Sequence, residues 1–326
     1  MDYRKIIKEI GRGKNHARDL DFDTARGLYS HMLDGNVPDL ELGGVLMALR
    51  IKGEGEAELR GFYDAARQRT LTLTPPAGRP MPVVIPTYNG ARRQANLTPL
   101  LALLLSRMGF PVVVHGVSED PTRIISAAIF ERLGIEPSLH TGQAQGKLES
   151  GEPLFIPVDA LCPPLAGQLQ LRWRLGVRSS AHTLAKLITP FGEDRALRLS
   201  SVSHPEYVTR VAQFFNQIGG RALVMHGTEG EAYANPLRCP QISLVADQRV
   251  QVLCERQNEA ADQHIVLPAD KDAEVTARWI QRCVAGEEPV PASIKRQLAC
   301  CLVASGEQRD MAAAQAQVDQ QLGAGT

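Results

Sequence analysis

Residues 83–116, "VVIPTYNGARRQANLTPLLALLLSRMGFPVVVHG", decide the fold. A β-branched run at Val83 leads through a short polar stretch into a leucine-rich helical segment, and a second β-branched run, "PVVVH", follows. Strand, loop, helix and strand in that order form the repeating piece of a parallel sheet. In α/β enzymes the stretch 85–100, "IPTYNGARRQANLTPL", is where a glycine-rich loop usually wraps a phosphate. Here the glycines are nearly gone, and two adjacent arginines, Arg92 and Arg93, stand in their place.

The alternation continues outward. "LFIPV", "LRLSSV", "RALVMHG", "QISLVA" and "QVLC" read as further strands, with amphipathic segments such as "PTRIISAAIFERLG" and "PEYVTRVAQFFNQIGG" between them. The tail from Ala292, "ASIKRQLACCLVASG", reads as a buried helix. Together they predict an α/β fold with a central, mostly parallel sheet flanked by helices. Residues 1–70 differ. "DYRKIIKEI" places Ile6, Ile7 and Ile10 on one stripe and Arg4, Lys8 and Arg12 on another. Asp21 or Asp23 caps a second helix that stops near Gly35. A third helix starts at Pro38-Asp39 and ends at Gly53, and "EGEAELRGFYDAARQRT" makes a fourth. "LTLTPPAGRPMP" reads as a hinge, and the helical stretch 165–191 as a return to the first domain. The expected division is a helical domain of residues 1–72 and about 165–191, and an α/β domain of 80–164 and 192–326.

Hydrophobic residues make up 44% of the 326, enough to bury a proper core, whereas aromatics at 5% leave few rings for stacking. Net charge is zero, so no global field draws the chain to a polyanion. The charge is nevertheless segregated. Residues 1–192 hold 23 Lys+Arg against 19 Asp+Glu. No acid occurs from Ala65 to Ser118 or from Ala160 to Gly192, and "MDYRKIIKEIGRGKNHAR" has six basic residues against two acids. Any one of these cations reads as part of a solvated face. Three such windows brought together would instead make backbone-phosphate contacts, with salt-sensitive and sequence-blind affinity. Trp173, between Arg172 and Arg174, has the chemistry to stack a base, but such a tryptophan is more often core and is not assigned to the site.

Other motifs fail on inspection. "GRGKN" lacks the first glycine and the closing Ser or Thr of a phosphate loop. "DLDFD" lacks the glycine and the closing Glu of a calcium loop. Glu119 and Asp120 precede Pro121 and read as helix caps rather than a catalytic pair. The histidines and six cysteines show no ligand spacing, so no metal and no catalytic residue are predicted. The cysteines read as buried thiols of a reducing compartment. With no apolar signal core at the start, and "LLALLL" too short to span a bilayer, the expectation is a cytoplasmic protein without membrane contact.

The order of helical segment, hinge, strand, degenerate loop, strand with His115-Gly116, and then "LRWRLGVRSS" resembles the anthranilate phosphoribosyltransferase family and, more loosely, the nucleoside phosphorylases. "GNVPDLELGGVLMALRIKGEGEAEL", "GGRALVMHG" and "VPASIKRQLACCLVASG" carry the likeness across nearly the whole chain. The family's Gly-Thr-Gly-Gly-Asp loop corresponds to Pro86, Thr87, Tyr88, Asn89 and Gly90. Its Lys-His-Gly-Asn-Arg run corresponds to Val114, His115, Gly116, Val117 and Ser118. Its magnesium motif Asp-Gly-Leu-Asp-Glu reads Glu229, Gly230, Glu231, Ala232 and Tyr233. Arg172 matches the arginine that holds the aromatic acid. These departures resemble the family's non-biosynthetic branch, on "YRKIIKEIGRGKNHARDL", "YNGARRQANLTPLLA", "VHGVSEDPTR" and "HGTEGEAYANP".

That resemblance implies a homodimer formed through the helical domains, nucleic-acid binding with little sequence preference, loss of the transferase activity, no cofactor, and association with the DNA-damage response. Single strands are weakly favoured over duplex as the partner. The expected nucleic-acid surface comprises Lys5, Lys8, Arg12, Lys14, Arg18, Arg92, Arg93, Arg172, Arg174, Arg178 and Lys186. The expected vestigial substrate cleft comprises Thr87, Asn89, Gly90, His115, Gly116 and Arg172. The alternative is a phosphoribosyl or pentosyl transferase with an unrecognised acceptor, for which magnesium would be the cofactor.

Overall fold

The computed structural model describes residues 1–13, 15–202, 206–257 and 267–322. Lys14, one of the expected surface cations, lies outside the described residues. In chain order the helices are α1 Tyr3–Ile10, α2 Phe22–Leu33, α3 Asp39–Lys52, α4 Glu56–Arg67, α5 Thr98–Arg107, α6 Ser126–Arg132, α7 Thr141–Ser150, α8 Val158–Leu161, α9 Pro163–Leu175, α10 Ser180–Leu184, α11 Glu206–Gln217, α12 Ala273–Ala285, α13 Ala292–Ser305 and α14 Met311–Leu322. The strands are β1 Val83–Thr87, β2 Val112–Gly116, β3 Leu154–Pro157, β4 Leu197–Val202, β5 Arg221–His226, β6 Ile242–Ala246 and β7 Arg249–Cys254. They fall into two compact units, Met1–Leu71 with Val158–Pro190, and Thr72–Pro157 with Phe191–Thr326.

The helical unit starts with four helices, of which α1, α2 and α4 have a side-chain cap at the N-terminus. Asp21, rather than Asp23, caps α2 by accepting from the Thr24 amide at 2.8 Å. The α4 start is fixed by Glu58, whose buried carboxylate accepts from the amides of Leu20 (3.0 Å) and Gly55 (2.6 Å) and from Lys52 Nζ (2.6 Å). Buried Ala25, Leu28, Tyr29 and Met32 of α2 face Leu59, Phe62, Ala65 and Ala66 of α4, with Tyr29 stacked on Phe62 at 4.9 Å. α3 packs against both α1 and α10.

The second unit is a seven-stranded sheet ordered β3-β2-β1-β4-β5-β6-β7. The first five strands in that order are parallel, and β6 and β7 add as an antiparallel edge. The seven strand-like runs of the sequence are these seven strands. The buried strands β1, β2 and β3 are nearly continuous apolar runs, as buried parallel strands favour, whereas β4 buries Arg198, Ser200 and Ser201. The "LLALLL" run is α5, with Leu100, Leu101, Leu104 and Leu105 all fully buried against Val83, Ile85, Val112 and Val114. Burying each such side chain contributes about 1.5–3 kcal/mol. All six cysteines are buried and unpaired. Among the described residues, no helix is long and apolar enough to cross a membrane.

Two local expectations need correction. Asp120 does not cap a helix. It closes a turn by accepting from the amide and hydroxyl of Thr122 at 2.8 and 2.7 Å, and α6 starts only at Ser126. Trp173 is not core: 48% of it is exposed.

Candidate functional site

The loop after β1 is the stretch in which the sequence has lost most of the glycines of a phosphate-wrapping loop. Gly90 retains a left-handed backbone (φ 67°), and a Cβ there would meet the Ile124 carbonyl oxygen at 2.9 Å. The adjacent Ala91 and Ile124 exchange backbone hydrogen bonds at 2.7 and 3.0 Å. This glycine is therefore kept for a close backbone crossing. The loop still aims its amides at a common space, as an anion nest does.

That space is filled by the protein's own carboxylates. Glu231 is 1% exposed. Its Oε1 accepts from the amides of Asn89 (2.8 Å) and Gly90 (2.7 Å), and its Oε2 from the hydroxyls of Thr87 (2.5 Å) and Thr98 (3.1 Å). Glu229 takes the next amides: Arg93 at 2.9 Å and Gln94 at 3.1 Å on Oε1, and Arg92 at 3.1 Å on Oε2. Both glutamates come from one tight turn, in which Thr228 and Glu231 exchange backbone hydrogen bonds. Ser201 Oγ donates to the Gly230 carbonyl at 2.7 Å and holds that turn from β4. Glu229 sits at φ 53°, a conformation costly for a residue with a Cβ. The strain aims its side chain at the loop. Charge-assisted bonds of this kind are the strong ones, and together they hold the loop shut on an internal anion.

Of the other residues expected of the old cleft, those of the sheet unit are also buried, whereas Arg172 belongs to the helical unit and is half-buried. Thr87, Asn89 and His115 are 2%, 5% and 0% exposed. His115 Nδ1 meets Tyr88 Oη at 2.8 Å, with the two rings edge-on at 5.5 Å, and burial pushes its pKa down to about 3. The bulk of Tyr88 thus lies inward over His115. A Cβ on Gly116 would lie 2.0 Å from the Thr87 carbonyl, so that glycine serves the β1–β2 crossing. Nor does the donor set fit magnesium. Ala232 and Tyr233 occupy the acidic-pair positions, the Tyr233 hydroxyl donates to the Ala95 carbonyl at 3.0 Å, and the two glutamates already accept from four and three donors.

In the sheet unit, Arg92 and Arg93 are exposed and, among the described residues, in no ion pair. Lys271 joins them by donating to the Arg92 carbonyl at 2.8 Å, a neighbour that no sequence pattern pairs with the loop. In the helical unit, Arg172, Arg178 and Lys186 converge on His182 of α10. Burial first, and then these three positive charges, push its pKa down to about 3. The Arg172 guanidinium lies 4.2 Å from the centre of the exposed Trp173 ring. Lys5 and Lys8 of α1 are exposed. Others are partly neutralised: Arg12 and Arg18 approach Glu9 at 2.8 and 3.9 Å, and Arg174 approaches Asp39 at 3.6 Å. Sequence reading missed His182, Lys271 and both glutamates.

The relatives are consistent with this fold. Residues 4–70 match the helical bundle domain of the glycosyl transferase family. The anthranilate phosphoribosyltransferase of Methanopyrus kandleri is 25% identical over 299 residues, 87% of this chain and 84% of that one. The crystal structure of the Thermus thermophilus enzyme superposes with a TM-score of 0.77 at 23% identity, covering 99% of this chain and 95% of that one. The Saccharomyces cerevisiae enzyme in complex with PRPP and Mg superposes with a TM-score of 0.73 at 12% identity, covering 98% and 93%; both structural likenesses speak for the fold alone. The chain belongs to the anthranilate phosphoribosyltransferase-like family. Within it, the chain is 68% identical to YbiB of Escherichia coli (strain K12) over 320 residues, 98% of this chain and 99% of that protein.

Proposed function

We propose that this protein is a family member that has given up phosphoribosyl transfer and binds nucleic acid, without sequence preference, as a homodimer. The observation that carries the first half is the pair of glutamates in the loop. A diphosphate would have to displace Glu231 and Glu229 from seven donors and overcome their negative charge, with no acidic pair to hold magnesium. The second half is supported by cations on both units: exposed Lys5 and Lys8 of α1, half-buried Arg172, Arg178 and Lys186 around His182, and exposed Arg92 and Arg93 beside Lys271. Self-association is supported by α3, where Leu40, Met47 and Ile51 share one stripe and are 85%, 37% and 63% exposed. Few rings are available for stacking, so single strands are favoured only weakly; the exposed Trp173 is one of them. No cofactor is required.

The test is fluorescence anisotropy of unrelated oligonucleotides across a salt series. Arg92→Glu with Arg93→Glu should weaken all sequences alike and flatten the log–log salt slope by about two. An unchanged slope removes the pair from the surface. Absence of binding to any oligonucleotide at low salt refutes the reading as a whole.

A second reading, a pentosyl transferase with an unrecognised acceptor, is favoured by kinship: the relatives at 25–27% identity are named as anthranilate phosphoribosyltransferases. It requires the 229–231 turn to withdraw, freeing the loop for a magnesium-bound donor. Saturable binding of phosphoribosyl diphosphate with magnesium would establish it.

A further inference from the structure

A cavity of about 540 Å³ opens beside the end of β5 and, apart from Glu229, is lined by groups that neither reading uses. His226 is the last residue of β5, and Ser243 lies near the start of β6, which runs back antiparallel to it. The cavity therefore lies off the carboxyl ends of the parallel strands, the edge at which open α/β sheets take ligands. Thr209 of α11, Asn235, Arg238 and Arg256 complete the polar wall, contributed by separate segments of the chain. Arg238 and Arg256 are exposed and, among the described residues, in no ion pair.

We propose that this cavity binds a phosphomonoester carried on a small hydroxylated body. Two guanidinium groups are the donors best matched to a phosphate dianion, because each offers a planar fork of N–H groups. A phosphate alone fills little of the volume. The rest of the polar wall, Thr209, Asn235 and Ser243, offers hydroxyl and amide partners suited to a polyol. No Phe, Tyr or Trp lines the cavity among the described residues, and the His226 imidazole is a small stacking face for a nucleobase. Glu229 also lines it, with its carboxylate held by the 92–94 amides; its charge directs the anion to the arginine side. The site shares Glu229 with the plugged loop but takes its anion contacts from Arg238 and Arg256, and it does not depend on nucleic-acid binding.

Calorimetric titration of the full chain with ribose 5-phosphate and glucose 6-phosphate tests the proposal. Inorganic phosphate, glucose and AMP serve as comparators. At least one sugar phosphate should bind saturably and more tightly than inorganic phosphate or AMP, and glucose should not bind. Arg238→Ala and Arg256→Ala should each weaken binding by about tenfold or more, the loss expected of one charge-assisted contact. Both side chains are exposed, so the variants should fold; Arg238→Lys and Arg256→Lys, which keep charge but lose the fork, provide the milder second series. No saturable binding of either sugar phosphate by about 10 mM overturns the proposal, as does affinity unchanged in the Arg238→Ala, Arg256→Ala double variant. Tighter binding of AMP than of both sugar phosphates also overturns it. Oligonucleotide binding by the same double variant should be unchanged, which keeps this site's failure distinct from failure of the nucleic-acid reading.

Discussion

Removing Glu231 tests whether the loop is held by its own anion. In Glu231→Ala the amides of Asn89 and Gly90 lose their acceptor while remaining buried. The hydroxyls of Thr87 and Thr98 can rotate, and Thr87 already has Ser126 Oγ at 2.7 Å. Each stranded amide costs about 1–3 kcal/mol, and relief of the buried charge offsets part of that, so the expected loss is about 3–4 kcal/mol. Glu231→Gln is milder. Its carbonyl can keep the two amides while its NH₂ faces the two hydroxyls, which turn to accept. Loss of charge assistance then costs about 1–2 kcal/mol. The chain has two tryptophans, with Trp173 in the helical unit and Trp279 in the sheet unit. In a Trp173→Phe background, urea unfolding followed by fluorescence reports the sheet unit alone. The midpoint should fall in the order wild type, Glu231→Gln, Glu231→Ala at constant slope. Amide exchange at Asn89 and Gly90 should accelerate in the same order. Identical midpoints and unchanged exchange in Glu231→Ala would refute the reasoning.

Other consequences are open to measurement. His115 is neutral in the folded state, its pKa pushed down to about 3 by burial, whereas an unfolded histidine titrates near 6.5. The folded pKa is the lower one, so the contribution to stability is complete above pH 6.5 and is lost as pH falls towards 3. His115 and His182 each add a slope of about 1.4 kcal/mol per pH unit below 6.5, so His115→Gln should lower the slope seen in unfolding titrations by about that amount. A slope unaffected by that substitution would contradict the burial argument. Around His182, Arg178→Ala removes one of three converging charges, so the imidazole pKa should rise in an NMR titration; a fall or no change would mean that the cations do not converge there.

Most strands were legible as short apolar or β-branched runs, the pattern of buried parallel strands, although β4 and β5 hold one β-branched residue each. The helical starts were legible where a carboxylate caps them, as at Asp21, and misread at Asp120, where the same residue type closes a turn. Charge segregation along the chain proved a poor guide to charge in space: Arg69, from an acid-free window, pairs with Asp34 at 2.7 Å, and Arg174 with Asp39. The carboxylate plug was the largest omission. Glu229 and Glu231 lie about 140 positions from the amides they hold, and the sequence showed them only as a metal motif that had failed. A signal was present, since Glu231 stands where the family motif has leucine, and a new carboxylate opposite a loop that has lost its glycines is a complementary change. What no local pattern could supply was the contact between them.

The central claim is that the loop's donors are already spent on Glu229 and Glu231. Calorimetric titration of the wild-type protein with phosphoribosyl diphosphate and magnesium tests it most directly. The structure predicts no saturable heat at millimolar ligand; binding in the micromolar range would show that the glutamates yield their place to substrate.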